Sequence, residues 1–155
     1  MACAEFVFEN WQEEEKSQVL EKLLGNMDPV ADMLTQIMNA LAVKKTSLSL
    51  PYSKMKFGIA KILVENGYLE NLKVFNKGAK KFLRIELKYD QKGEPLIQEL
   101  RRISKPGRRI YVKKKEIKSV KSGLGFWIIS TPQGLMTSIE AKKKGLGGEV
   151  ICEVF

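Results

Sequence analysis

The chain has 155 residues, with 27 Lys and Arg against 18 Asp and Glu, a formal net charge of +9 and no His. That length can bury a core without metal or disulfide staples, and the 44% hydrophobic content is ordinary for a globular protein. No apolar run approaches the roughly eighteen residues of a membrane span, no secretory pattern opens the chain, and Cys3 and Cys152 match neither a disulfide framework nor a zinc pattern, so a reducing cytosolic setting is expected.

Residues 1–26 read as an acidic extension. They hold six Glu and two Lys, a net of −4, which leaves a net of +13 on the rest of the chain. Asn10 and Glu13 resemble a capping box, and Trp11, Val19, Leu20, Leu23 and Leu24 fall roughly on one helical face before Gly25. Two readings stay open: a short helix that docks on a basic or apolar partner, or an accessory stretch upstream of an initiator at Met27.

A second helix is expected from Asp28 as N-cap, with Pro29 in its first turn, to Ala42. Ser47–Tyr52 alternates as a short strand. Ser53 caps a helix that runs to Asn66 and stops at Gly67. Strands at Tyr68–Phe75 and Phe82–Tyr89 flank a hairpin turn at Asn76–Ala79. Lys92–Pro95 then links to a second unit. Leu96–Ser104 reads equally as strand or helix, and Lys105-Pro106-Gly107 is a turn. Arg109–Lys113 reads as a strand and Lys114–Lys121 as a basic connector holding one helical turn. Phe126–Thr131 is a buried strand that leads into the loop Ser130–Gly134. Thr137 and Glu140 open a short helix that Gly145 ends, and Gly148–Phe155 is the last strand. The expected fold class is α+β. An N-terminal α/β domain, residues 27–91, has two helices with a three-stranded sheet, and a mainly β domain, residues 92–155, has a short helix.

The chemistry of this chain points to a polyanion rather than to a reaction. Without His it lacks the commonest general base, and it carries no phosphate loop, dinucleotide fingerprint or nucleophile elbow. Asp28 and Asp32 lie one helical turn apart, but acids at a helix N-terminus are explained by capping and by the helix dipole. No cofactor, metal site or small-molecule substrate is expected. Between residues 101 and 121, Arg101, Arg102, Lys105, Arg108, Arg109, Lys113, Lys114, Lys115, Lys118 and Lys121 face only Glu116. Such one-sided charge suits phosphate contact, and Tyr111 inside it is equally a stacking residue or a rim tyrosine. Lys54 and Lys56 open a helix whose dipole disfavours them, which suits a bound phosphate; Ser53 beside them serves first as a cap. Ser130, Thr131, Gln133 and Gly134 offer hydroxyls and open backbone to RNA. Taken alone, that loop reads more simply as a turn that satisfies its own backbone.

Five ordered blocks change that balance. M-D-P-V-A-D-M-L-T-Q-I-M-N-A (27–40), L-P-Y-S-K-M-K (50–56), I-S-K-P-G-R-R-I-Y (103–111), G-L-G-F-W-I-I-S-T-P-Q-G-L-M-T (123–137) and G-L-G-G-E-V-I-C-E-V-F (145–155) together resemble the eighth small-subunit ribosomal protein family of bacteria. The resemblance spans residues 27–155. It implies binding to the central domain of small-subunit ribosomal RNA early in assembly, contact with neighbouring ribosomal proteins, a place in the cytoplasmic ribosome, and no catalysis. It leaves a second function open, translational repression of messenger RNA. The RNA contact it implies is the S-T-S-[KR]-G loop, which Ser130, Thr131 and Gly134 match. Pro132 stands where the family usually has Ser, and Gln133 where it has Lys or Arg. Gln36 and Met38 replace a usual Arg pair, and Glu153 a usual aromatic.

Overall fold

The computed structural model describes residues 28–155. The acidic helix expected before them lies outside the described residues. Helix α1, Pro29–Ala42, begins where the Asp28 carboxylate accepts the Val30 N–H at 3.1 Å. Strand β1, Ser47–Pro51, is followed by helix α2, Lys54–Glu65, and Gly67 with φ +80° closes that helix. Strands β2, Leu69–Lys77, and β3, Lys80–Leu87, form a hairpin with Gly78-Ala79 at its tip and Lys77 opposite Lys80. The turn is tighter than the expected Asn76–Ala79, because Gly78 takes φ +65° and the strands pair up to its edge. The three strands order as β1-β3-β2, all antiparallel.

The second sheet has β8, Gly148–Val154, at its centre. Strand β4, Leu100–Arg102, and strand β5, Tyr111–Val112, both pair with one edge of β8. Strand β6, Phe126–Thr131, pairs with its other edge, and β7, Gly134–Thr137, pairs with β6. Helix α3, Ser138–Lys144, follows directly. Thr137 and Glu140 form its capping box, and Gly145 ends it in the left-handed conformation.

This part of the chain departs from expectation in three places. Leu96–Ser104, readable either way, yields only the three-residue β4, with Ile97 buried ahead of it. The expected strand Arg109–Lys113 shortens to Tyr111–Val112: the Ile110 N–H donates to the Ser104 hydroxyl and the Lys113 N–H to the Glu116 carboxylate, while the Ile110 carbonyl still accepts the Val150 N–H. The Ser130–Gly134 segment is a β-hairpin tip rather than a strand-to-helix loop, since β7 intervenes before α3.

One large apolar core joins the two sheets. Met33, Ile37, Leu63, Ile85, Ile128 and Ile151, all at most 1% exposed, come from both halves of the chain. Burying each such side chain contributes roughly 1.5–3 kcal/mol. A smaller core on the opposite face of the second sheet holds Ile117, Ile129, Met136, Ala141 and Val150 beneath α3. Both faces of this sheet are therefore covered over part of their length. Arg102 ties α1 to the second sheet: its Nε donates to Asp28 at 2.6 Å and its NH1 to the Ile151 carbonyl at 2.8 Å.

Candidate nucleic-acid interface

Register decides which candidate residues meet. Glu149 of β8 pairs with Tyr111 of β5 on one side and with Ser130 of β6 on the other. Ser130 in turn pairs with Leu135 of β7. Directly paired residues point to the same face, so Tyr111, Glu149, Ser130 and Leu135 form one row across the sheet. The Tyr111 and Ser130 backbones lie two strand spacings apart, about 10 Å.

The row is tightly set because Gly148 opens β8 and Gly147 precedes it. A Cβ on Gly148 would lie 2.0 Å from the Ser130 carbonyl oxygen, and one on Gly147 would lie 2.4 Å from the Val112 carbonyl oxygen. Both are backbone obstacles that cannot move aside. The glycine pair thus lets β5 and β6 close on β8 just where Tyr111 and Ser130 stand.

At the far end, Leu135 reaches α2. A Cβ on Gly58 would meet the Leu135 Cδ1 at 2.6 Å, so the absence of a side chain at Gly58 seats the helix against β7. Lys54 lies one turn before Gly58, on the same side of the helix. The structure therefore brings the start of α2 beside the β6–β7 hairpin, although 76 positions separate Lys54 from Ser130 in the chain.

The individual candidates differ in what they present. Ser53 is the N-cap of α2, its Oγ accepting the Lys56 N–H at 3.5 Å. Lys54 is exposed, whereas Lys56 is buried at 4% exposure. The Thr131 hydroxyl works inside the hairpin: it donates to the Gly134 carbonyl at 2.8 Å and accepts the Gln133 N–H at 3.2 Å. Pro132, Gln133 and Gly134 are exposed at the tip, and nothing lies within 4 Å of where a Gly134 side chain would start. Ser130 is half-buried.

In the basic run, Lys105, Pro106, Gly107 and Arg108 form an exposed four-residue turn closed by reciprocal Lys105–Arg108 backbone bonds at 2.9 Å. Ser104 fixes its base, fully buried, donating to the Ile110 carbonyl and accepting the Ile110 N–H. Tyr111 is 68% exposed, which removes it from the core. Lys113, Lys114 and Lys121 are exposed, with the Lys121 ammonium 4.7 Å from the Phe155 ring centre.

Ten cations against one acid is the count along the chain, but not the count in space. Arg101 pairs with Glu99 at 2.8 Å, Arg102 with Asp28 at 2.6 Å and Arg109 with Glu149 at 3.0 Å. The hydrogen bond and charge of Glu99 raise the Arg101 pKa above its ordinary value. Arg102 is a structural clamp, and the Asp28 carboxylate is fully engaged by it and by the N-cap bond. Asp32 accepts from the Gln36 amide at 2.7 Å. The surface charge of the run therefore rests on Lys105, Arg108, Lys113, Lys114, Lys115, Lys118 and Lys121, with Arg109 half-exposed beside Tyr111.

Leu135, Gly58, Gly148, Ser104 and Glu149 complete the arrangement and escaped the sequence reading. Only the glycine pair at 147–148, at the start of an apolar strand, carried a local signal of close backbone approach. Among the described residues no helix is long and apolar enough to cross a membrane.

The family model for ribosomal protein S8 matches residues 28–155. The chain is 48% identical over 128 residues to the small ribosomal subunit protein uS8 of Thermodesulfovibrio yellowstonii, covering 83% of this chain and 98% of the relative. It is 51% identical to that of Rubrobacter xylanophilus, covering 83% and 97%, and 50% identical to that of Burkholderia multivorans, covering 82% and 96%. With nearly the whole of each relative aligned at about half identity, this chain belongs to the ribosomal protein S8 family.

Proposed function

We propose that the chain is a structural, non-catalytic constituent of the small subunit of cytoplasmic ribosomes, and that it binds the central domain of small-subunit ribosomal RNA during assembly. The observation that carries this reading is the row Tyr111–Glu149–Ser130–Leu135, continued by Lys54 on α2. It puts a stacking surface, a hydroxyl and a cation on one face, next to the exposed Lys105–Arg108 turn. Tyr111 stacks on a base, and Ser130 reads a base edge or a 2′-hydroxyl. The Gly134 and Gln133 backbone approaches the RNA closely at the hairpin tip. Thr131 shapes that tip rather than reading RNA through its hydroxyl. Ser53, Lys54, Lys105, Pro106, Gly107, Arg108, Arg109, Lys113, Lys114 and Lys121 supply positioning and charge, and Lys56, buried, supports the start of α2 from within. Residues 27–91 and 92–155 act as two domains that share this face, and neighbouring small-subunit proteins are its protein partners.

Binding to a central-domain RNA fragment, measured at several salt concentrations against unrelated RNA of equal length, tests the reading. Each Lys or Arg phosphate contact steepens the salt dependence by a slope of roughly 0.7–0.9. The expected result is a cognate preference that persists as salt rises. Equal affinity for both RNAs at every salt concentration would overturn it.

A further inference from the structure

Family membership leaves residues 1–26 unexplained. The family model begins at residue 28, and alignments of 128 residues already cover 97–98% of the Rubrobacter and Thermodesulfovibrio relatives. The extension combines a net charge of −4 with Trp11, Val19, Leu20, Leu23 and Leu24, inside a chain whose remainder is strongly basic.

The described residues hold a surface of complementary chemistry. A groove of about 410 Å³ opens between α3 and the segment 117–125. Ile117, Gly123, Gly125 and Ile139 give it an apolar lining, and Lys118, Lys142 and Lys143 also border it. Ile139 is 54% exposed, and Leu124 next to the groove is 78% exposed. Among the described residues no ion pair engages these three lysines. Helix α3 covers the Ile129 and Val150 side of the sheet, whereas Ser130 and Leu135 face the Ile128 side. The groove thus lies on the opposite face of the sheet from Ser130 and Leu135. Phosphates gain nothing from exposed Ile139 and Leu124, but an acidic segment with apolar anchors satisfies both the lining and the lysines.

We infer that the acidic segment of this same chain, centred on residues 10–24, docks in the α3 groove. Its composition complements the groove: Val19, Leu20 and Leu23 are apolar like Ile139 and Leu124, and Glu13, Glu14, Glu15 and Glu21 are opposite in charge to Lys118, Lys142 and Lys143. Covalent attachment favours this occupant over a separate partner, because a segment on the same chain reaches an effective concentration of about millimolar when the linkage is short. Reach is no obstacle: 27 residues extend up to roughly 90 Å, and a folded body of this size has a radius of gyration of only roughly 14 Å. Docking covers an apolar patch and neutralises lysines that would otherwise attract RNA without selectivity.

Zero-length carbodiimide coupling of the full-length chain tests the docking. Mixed light and heavy isotope-labelled protein separates links within one chain from links between two. The expected result is intramolecular coupling of Glu13, Glu14, Glu15 or Glu21 to Lys118, Lys142 or Lys143. Ile139→Asp should lower the coupling by about threefold or more, equivalent to roughly 0.7 kcal/mol. That variant places an acid in the first turn of α3, where the helix dipole favours it, so an unchanged Tm shows that the fold is kept. Salt at about 0.5 M should lower the yield as well. Links spread evenly over Lys61, Lys92 and Lys105, links that are mainly intermolecular, no links at the groove lysines, or yields untouched by Ile139→Asp would each overturn the inference.

Discussion

At Gly148 a single methyl group meets the Ser130 carbonyl oxygen at 2.0 Å, with backbone on both sides of the clash. Gly148→Ala should therefore destabilise the protein by about 2 kcal/mol, the cost of overpacking, which a denaturant melt will read. Arg102→Ala should cost more, about 3 kcal/mol, because it leaves the Asp28 carboxylate without its ion-pair partner in a site where the two side chains are only 9% and 12% exposed. Cys152 makes a third residue-scale prediction. Burial pushes its thiol up to about 12, partly offset by the nearby Arg102 charge. An unfolded cysteine ionises near 8.5, so the stability due to the buried neutral thiol is complete below that value and is lost as pH rises toward 12. Iodoacetamide at about pH 8 should leave Cys152 unmodified in the folded protein and alkylate it in denaturant; peptide mass mapping checks this.

At the scale of elements, the contact between α2 and β7 decides whether Lys54 and Ser130 act together. Gly58→Val should push α2 off Leu135 and weaken cognate RNA binding. Leu135→Ala should restore part of the loss, because the obstacle is the end of one flexible side chain. A double-mutant cycle in RNA affinity measures that coupling, and additive losses would place the two residues in separate roles. How far the sequence was legible follows from the range of the forces. The helices were readable because their stop signals are local: Asp28, Ser53 and Thr137 cap them, and Gly67 and Gly145 end them. The β2–β3 hairpin was readable for the same reason. Strand β7 was not, since four residues carry too little alternation and its partner is fixed by the Thr131–Gly134 turn. Strand β5 is short because side chains take the N–H groups at its two ends, the buried Ser104 hydroxyl that of Ile110 and the Glu116 carboxylate that of Lys113. Candidate site residues were legible as types. Their meeting was not, because it depends on Glu149 pairing on both edges of β8 and on glycines that admit close backbones.

At the scale of the molecule, two sheets share one large core, with α1 and α2 contributing to it alongside Phe126, Ile128 and Ile151. The two sheets should therefore melt together, and far- and near-ultraviolet circular dichroism should give coincident transitions; separated midpoints would contradict the shared core. The same assembly redistributes charge. Glu99, Asp28 and Glu149 neutralise three of the arginines in the basic run; under the proposed function the lysines of the run outside the α3 groove supply the long-range attraction to RNA, and the Tyr111–Ser130 row supplies selectivity. The most direct test of that division compares the full-length protein with Tyr111→Ala and Ser130→Ala for affinity to a central-domain ribosomal RNA fragment and to unrelated RNA of equal length. The account predicts that each substitution weakens the cognate complex about tenfold, the worth of roughly 1–2 kcal/mol in one stacking or hydrogen-bonding contact, while affinity for unrelated RNA stays the same. Equal weakening for both RNAs, or no change for either, would contradict it.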